Sequence, residues 1–547
     1  VLLLCALGAA TFLPSLPMRD LWNPDEPRYA EVAREMRVTG DWLVPHLNGA
    51  IYAEKPPLFF WLSAAGQALG LGFNAGRVVA GLAALGTLLV TWALARRFLR
   101  DRAAFLGAVA LGTTVFFPWL ARFGVLDVVL TFFVTLAAYG WIRGGPWVAL
   151  FYVGIGLAVL TKGPVAIVLA VFAVLAWKIS GGSGGRRPWH LLWGVPLTAA
   201  IVAAWLWPAC VRGGPAYADV ILWKQNVGRA VGESAPHARP LWYYLQYAWL
   251  FLPWLLFLPW ALPWAWRQKG FPRAMLSWAA FGFVFFSCVS GKRERYLTPL
   301  LPPLAIVVGA WLDGASDALG QRWVRVAARL ATGFLVGPAL ALCGAVLFFA
   351  ALALGLIRVS RMEAPSPGWF VGALAFVWLL STAAWKGIEA RRQGSLPRGA
   401  GFVALGMAVL MLAYDLLLVP YLDESKSPRP VAEALNTWPG EVAAYPAHFS
   451  GAYNLYSGRL MIPVLKTTEE VVAHLAGPGQ RLVFTSLESY AGEDEASLEQ
   501  ALSRRFPSDP AALEREDPAA RRVWKTSLGQ VGHRDMIFLT NYPPPPG

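Results

Sequence analysis

Residues 58–72 read LFFWLSAAGQALGLG, and whether this run crosses a membrane decides on which side every later loop lies. It is about 15 residues long, against the roughly 20 apolar residues a helix needs to cross, and Gln67 and three glycines interrupt it. Those features suit a helix lying along the interface. Loop charge points the same way. Counting the run as a span would move the downstream Arg and Lys clusters to the outer face, against the positive-inside rule.

The chain around it has 547 residues, 56% hydrophobic and only 15% charged, with long apolar blocks throughout. This is the composition of a polytopic helical membrane protein. The net charge of +14 sits largely in short loops between apolar blocks, where topology and anionic lipid headgroups account for it, so nucleic acid is excluded as a partner. Four cysteines without CxxC spacing argue against a disulfide framework or a thiolate zinc site.

Hydropathy places spans at roughly 1–17, 76–95, 103–121, 124–142, 147–161, 163–178, 189–209, 244–266, 274–290, 296–312, 330–356, 367–385 and 400–420. Thirteen spans with an inner amino terminus make every inner loop basic, from Arg96 and Arg97 to Arg391 and Arg392. They place residues 18–75 and everything after 420 on the outer face. The first block lacks the basic flank of a signal peptide, and twelve further spans follow it. The stretch 147–178 reads as two helices because that choice keeps the downstream charge rule. From about 421 to 547 the chain is rich in charge. The β-favouring runs EVAAY, RLMIPV, RLVFTSL, RRVWKTSL and DMIFLTN, with helical stretches near 467–476 and 495–505, predict a small soluble α/β domain. The expected domains are therefore 1–420, with 18–75 as a large first outer loop, and 421–547.

The outer segments carry the unusual polar residues. In N-P-D-E-P-R-Y-A-E-V-A-R (23–34), the prolines suit a first helical turn. Asn23 or Asp25 can cap a helix whose apolar side is Tyr29, Ala33 and Met36. Asp25 and Glu26 then lie at the positive end of the helix dipole, which favours their ionised forms. From these residues alone, ordinary capping and a functional carboxylate pair both remain open, although a cap needs only one carboxylate. G-D-W-L-V-P-H-L-N-G (40–49) follows, then Y-A-E-K-P-P-L (52–58), where a double proline holds Glu54 and Lys55 on extended backbone. Arg122 and Asp127, Lys162 in L-T-K-G-P, and Lys292, Arg293 and Arg295 in S-G-K-R-E-R-Y-L fall at outer span ends. Cations there oppose the positive-inside bias, and a bound lipid phosphate is one reason for them to be there.

The set D-E-P-R-Y-A-E-V-A-R-E-M, G-D-W-L-V-P-H-L-N-G, Y-A-E-K-P-P-L, T-K-G-P and K-R-E-R-Y-L-T-P-L-L-P-P-L resembles the motifs of the bacterial aminoarabinose transferase branch of the GT-C glycosyltransferases, close to the protein O-mannosyltransferases. The resemblance covers roughly the first 310 residues. Beyond them only A-Y-N-L-Y-S-G-R (452–459) is a weak echo. It implies a thirteen-span GT-C fold with a periplasmic carboxy-terminal α/β domain in the bacterial inner membrane. The implied activity moves a sugar from undecaprenyl phosphate to lipid A or another extracytoplasmic acceptor.

By that resemblance Asp25 is the base or acceptor-orienting group, with Glu26 beside it. Lys55, Lys162 and Arg295 stabilise the departing phosphate, and Arg28, Tyr29, Arg122, Asp127 and Tyr296 complete substrate binding. A divalent metal such as zinc is implied at Glu54 and His237, which His448 of the soluble domain could join. A transporter or flippase would instead place charges in mid-span, whereas nearly all charges here lie at block ends. A protein O-mannosyltransferase-like activity is the rival within the enzyme reading.

Overall fold

The computed structural model describes residues 1–541 apart from 15, 183–188, 229–238, 315–321, 358–364, 446–450, 487–501, 503–523 and 532–533. The chain divides into two compact units. One comprises Val1–Met18, Ala53–Gly66 and Asn74–Val419, and the other Arg19–Tyr52, Gln67–Phe73 and Pro420–Gly547.

The first unit is helical, as lipid demands of a backbone that must satisfy its own hydrogen bonds. Among the described residues nine helices are long and apolar enough to cross a membrane. A tenth is added if the pair Leu241–Phe251 and Trp254–Arg267, bent by 104°, forms one span. The remaining expected blocks are filled by shorter helices: α1 (Leu2–Phe12), the broken pair Asp101–Gly112 and Phe116–Ala121, and Val165–Ile179. The opening stretch yields α3 (Leu58–Gly66) after α2 (Asp25–Thr39) of the other unit. With nine residues, α3 is about 14 Å long, less than half of the roughly 30 Å hydrocarbon core. A π-helical turn then runs from Gln67 to Leu71, where Gly70 leaves helical geometry at φ +88°. Residues 147–178 form two helices, Val148–Lys162 and Val165–Ile179. Small residues let helices pack backbone to backbone: a Cβ on Gly309 would lie 2.2 Å from the amide nitrogen of Gly107 on the helix Asp101–Gly112.

The second unit holds a four-stranded sheet, order β3-β4-β6-β5, from β3 (Glu441–Ala444), β4 (Arg481–Ser486), β5 (Trp524–Val531) and β6 (Arg534–Thr540). β3 and β4 are parallel and the other pairs antiparallel. Alternate residues feed opposite faces. Val442, Leu482, Phe484, Met536 and Phe538 pack with Val431 and Leu435 of the helix Arg429–Thr437. Ala443, Val483, Ile537 and Leu539 pack with Val471 and Leu475 of the helix Thr468–Ala476. RLMIPV, expected as a strand, is not one: only Val464 makes an isolated bridge, to Ala444. The segment is instead held by side chains, as shown below. The expected helix near 495–505 lies outside the described residues except for Leu502.

Candidate active site

Asp25 and Glu26 open α2, which lies in the second unit. The sequence expectation of a side-chain cap needs correction. Pro24 occupies the cap position, with helical φ and ψ and no side-chain cap hydrogen bond. Asp25 is the first residue of the helix and not its cap. Pro27 falls in the first turn, where a missing N–H costs nothing. Both carboxylates sit in the first turn, at the positive end of the helix dipole. Tyr29, Ala33 and Met36 are all buried, as the apolar stripe predicts.

The two carboxylates differ in their surroundings. Glu26 accepts two hydrogen bonds from Arg19, at 2.6 and 3.1 Å, and one from the Trp22 amide. Both side chains of the pair are almost fully buried, and Arg19 also lies 4.4 Å over the Trp22 ring. These contacts tie Glu26 to the segment that precedes α2. Asp25 is met by Arg28 at 3.9 Å, one turn on.

In the first unit, four expected residues come together from three elements. Asp127 stands in the first turn of the helix Leu126–Arg143, Lys162 in the last turn of Val148–Lys162, and Arg295 and Tyr296 in the 3-10 helix Glu294–Leu300. Lys162 Nζ donates to Asp127 Oδ1, and Arg295 Nε lies 3.8 Å from Asp127 Oδ2. The ammonium of Lys162 also sits 4.3 Å from the Tyr296 ring centroid. Asp127 is thus the shared counter-ion of two cations, fixing their positions while leaving net positive charge. The chain turns sharply just after Lys162 because Gly163, the C-cap, adopts φ +90° and Pro164 follows, so the lysine ends its helix instead of being carried onward. A Cβ at Gly163 would approach Asn226 Oδ1 to 3.0 Å.

Glu54, Lys55 and Lys162 line a cavity of about 610 Å³ whose other walls are mainly aliphatic and aromatic, among them Ile155, Val159, Ile167, Val171, Val195 and Val202. On the helix Val148–Lys162 the lining runs from Phe151 to Lys162, about 17 Å of helical rise. Lys162 stands at the end of that helical lining, and most of the remaining walls are apolar. Gln225 and Asn226, from the π-helical stretch Asp219–Gly228, also line it. Gln225 Oε1 is buried and finds no hydrogen-bond partner among the described residues.

Other expected residues lie elsewhere. Arg122 forms a buried ion pair with Asp415 and donates to the Pro118 carbonyl. Lys292 is buried and donates to the carbonyls of Arg239 and Val289 at 3.0 and 2.5 Å, and desolvation holds its pKa below the ordinary lysine value. Of the metal set, Glu54 lines the cavity, while His237 and His448 lie outside the described residues. Among the described residues no three or more His, Cys, Asp or Glu side chains are grouped to hold a metal ion.

Residues 1–275 match the family of dolichyl-phosphate-mannose-protein mannosyltransferases. The undecaprenyl phosphate-alpha-4-amino-4-deoxy-L-arabinose arabinosyl transferase of Pectobacterium carotovorum is 33% identical over 73% of this chain and 73% of its own length. The chain belongs to this family. A transferase of the same name from Edwardsiella ictaluri is 34% identical over 58% of this chain, which spans 60% of that relative. The crystal structure of ArnT from Cupriavidus metallidurans bound to undecaprenyl phosphate superposes with a TM-score of 0.72 at 22% identity, covering 99% of this chain and 98% of that one. That likeness establishes the fold, the GT-C arrangement of a multi-pass membrane protein.

Sequence reasoning missed Gln225, Asn226 and Asp415. Asp415 had a signal, an ionisable residue inside the apolar block YDLLLVP. The two carboxamides had none, because their place in the groove depends on the π-helical turn that carries them.

Proposed function

We propose that the chain transfers a sugar from a polyprenyl phosphate to an acceptor on the outer face of the cytoplasmic membrane. The best-supported pair is 4-amino-4-deoxy-L-arabinose and lipid A. One observation carries the reading: a mainly apolar cavity lined by Lys55 and Lys162 suits an isoprenoid chain with a phosphate head. As the bond between the sugar C1 and the phosphate oxygen breaks, the oxygen keeps the electron pair, and Lys55, Lys162 and Arg295 stabilise the charge it gains. Asp127 holds two of these cations in register. Gln225 and Asn226 supply hydrogen-bonding groups for sugar hydroxyls or phosphate oxygens.

Asp25 enters through the motif resemblance. It orients a phosphate acceptor, or takes the proton of a hydroxyl acceptor as the new C1–O bond forms. Glu26 holds the start of α2 through Arg19. Thirteen spans, with the carboxy-terminal domain on the periplasmic side, are the topology that loop charge supports. Glu54 and His237 are of the types zinc accepts, and an ion there would help neutralise the phosphate. Zinc titration of the purified chain beside His237→Ala tests that assignment.

The donor assignment is tested by binding. In native mass spectrometry or nanodisc titration, undecaprenyl phosphate should bind at least about tenfold more tightly than undecaprenol, a difference of charge-assisted contacts. The preference should vanish in the Lys55→Met/Lys162→Met double variant. Equal binding of both lipids by the wild-type chain would refute the donor site.

A further inference from the structure

The motif A-Y-N-L-Y-S-G-R (452–459) has no part in the chemistry just described, yet its helix, Ala452–Ser457, is packed against three different elements of the second unit. Tyr453 faces the sheet, its ring 4.7 Å from that of Phe484 and its hydroxyl against Met536 Sδ. Leu455 packs with Leu21 and Ala30, beside and on α2. Asn454, fully buried, donates from Nδ2 to Asn48 Oδ1 at 2.8 Å.

Asn48 is the next link. With Gly49 it forms the two-residue turn of a hairpin between β1 (His46–Leu47) and β2 (Ala50–Ile51), and both turn residues have positive φ, +56° and +73°. This is the geometry that an Asn-Gly pair adopts readily. The turn aims its two amides at one carboxylate: Asn48 N and Gly49 N donate to Glu35 Oε1 and Oε2 at 2.5 and 3.1 Å. The Asn48 side chain meanwhile pairs with the backbone of Ile462, accepting from its N–H at 2.7 Å and donating to its carbonyl at 2.9 Å. A second tie runs in parallel: Arg34, bonded through two nitrogens to Glu31, donates to the carbonyls of Gly458 and Arg459. The segment RLMIPV is thus a docking edge for the hairpin and α2, which is why it is not a strand.

We propose that Asn454 is a positioning residue for Asp25, acting through Asn48 and Glu35 on the helix that carries the carboxylate. The inference rests on the reading of Asp25 as the acceptor-side group. Glu35 follows Asp25 by ten residues on the same helix, so anchoring its carboxylate sets the rotation and axial position of the helix as a rigid body. Catalytic groups tolerate about 0.5 Å and 10–20° of error. An exposed loop would not hold a helix that closely, whereas a buried amide that donates to Asn48, itself tied to Ile462 and Glu35, does. Asn454→Ala would leave Tyr453 and Leu455 in place and Asn48 Oδ1 still bonded to Ile462, so the unit keeps its fold while the hairpin that holds Glu35 loses one of the two anchors of its Asn48 side chain.

Two measurements on the full-length protein in nanodiscs test this. Hydrogen exchange needs no substrate: Asn454→Ala should speed exchange across residues 25–39 while leaving the sheet strands 441–444 and 481–486 unchanged. With radiolabelled undecaprenyl phosphate-aminoarabinose and lipid A, the variant should lose about 10- to 100-fold in kcat, with donor KM within about twofold of wild type. In an Asp25→Glu background, where the carboxylate is already displaced, the same substitution should change kcat less than about twofold. Unchanged exchange and unchanged kcat would overturn the proposal. So would an equal loss in both backgrounds with a lowered melting temperature, which marks a merely structural residue. If Asp25→Asn impairs transfer and Asn454→Ala does not, this inference alone fails. If Asp25→Asn transfers at the wild-type rate, the reading of Asp25 fails and the inference with it.

Discussion

Lys162 and Arg122 are both cations that the chain places near the end of an apolar block, and their surroundings give them different work. Lys162 shares Asp127 with Arg295 and lines the groove, so under the proposed function removing it withdraws charge from the departing phosphate. Lys162→Met should lower kcat/KM by about 10²- to 10³-fold, the usual cost of losing one transition-state donor, with little change in melting temperature. Arg122 is matched to Asp415 in a pair that is nearly fully buried. Arg122→Met would take a cation from a buried carboxylate, so it should destabilise by roughly 3–5 kcal/mol and leave donor KM within about twofold. Thermal unfolding beside donor kinetics separates the two, and the reverse pattern would exchange their roles. The residue types were readable as chemistry from the sequence, but their partners were not. Arg122 and Asp415 lie 293 positions apart, and nothing local distinguishes Glu26, locked to Arg19, from Asp25 beside it.

The helix α2 shows how local signals carry and where they stop. Its apolar stripe and acidic first turn were legible because both follow from helical period and dipole. The cap was misread, because Asn and Asp are favoured caps and Pro24 is not. Its interior holds a further consequence. Glu31 is fully buried, and burial, only partly offset by Arg34, raises its pKa to about 7, with Glu35 adding to the rise. A carboxyl whose folded pKa exceeds its unfolded value favours folding while protonated. Its contribution is complete below about pH 4.5 and is lost as pH rises through about 7. The melting temperature of the second unit should therefore fall between pH 5 and pH 8, and Glu31→Gln should flatten that fall. Calorimetry across the range checks this, and a variant with the wild-type slope would contradict it.

Across the whole chain, alternation of apolar blocks with basic loops located helix in every expected block, and a change in composition located the carboxy-terminal sheet. Length and period carry that much information. The division of the chain into units did not follow from it: residues 19–52 group with 420–547 through bonds such as Asn48 to Ile462, which join segments more than 400 positions apart. The groove was equally hidden, since it is built from residues 54 to 226, none of which is unusual alone. The most direct test of the account is transfer itself. Purified protein in proteoliposomes should move label from radiolabelled undecaprenyl phosphate-aminoarabinose to lipid A and not to peptide, and Asp25→Asn should cut the rate by at least about 100-fold. Wild-type protein that moves the labelled lipid between leaflets without transferring its sugar to any acceptor would contradict the account.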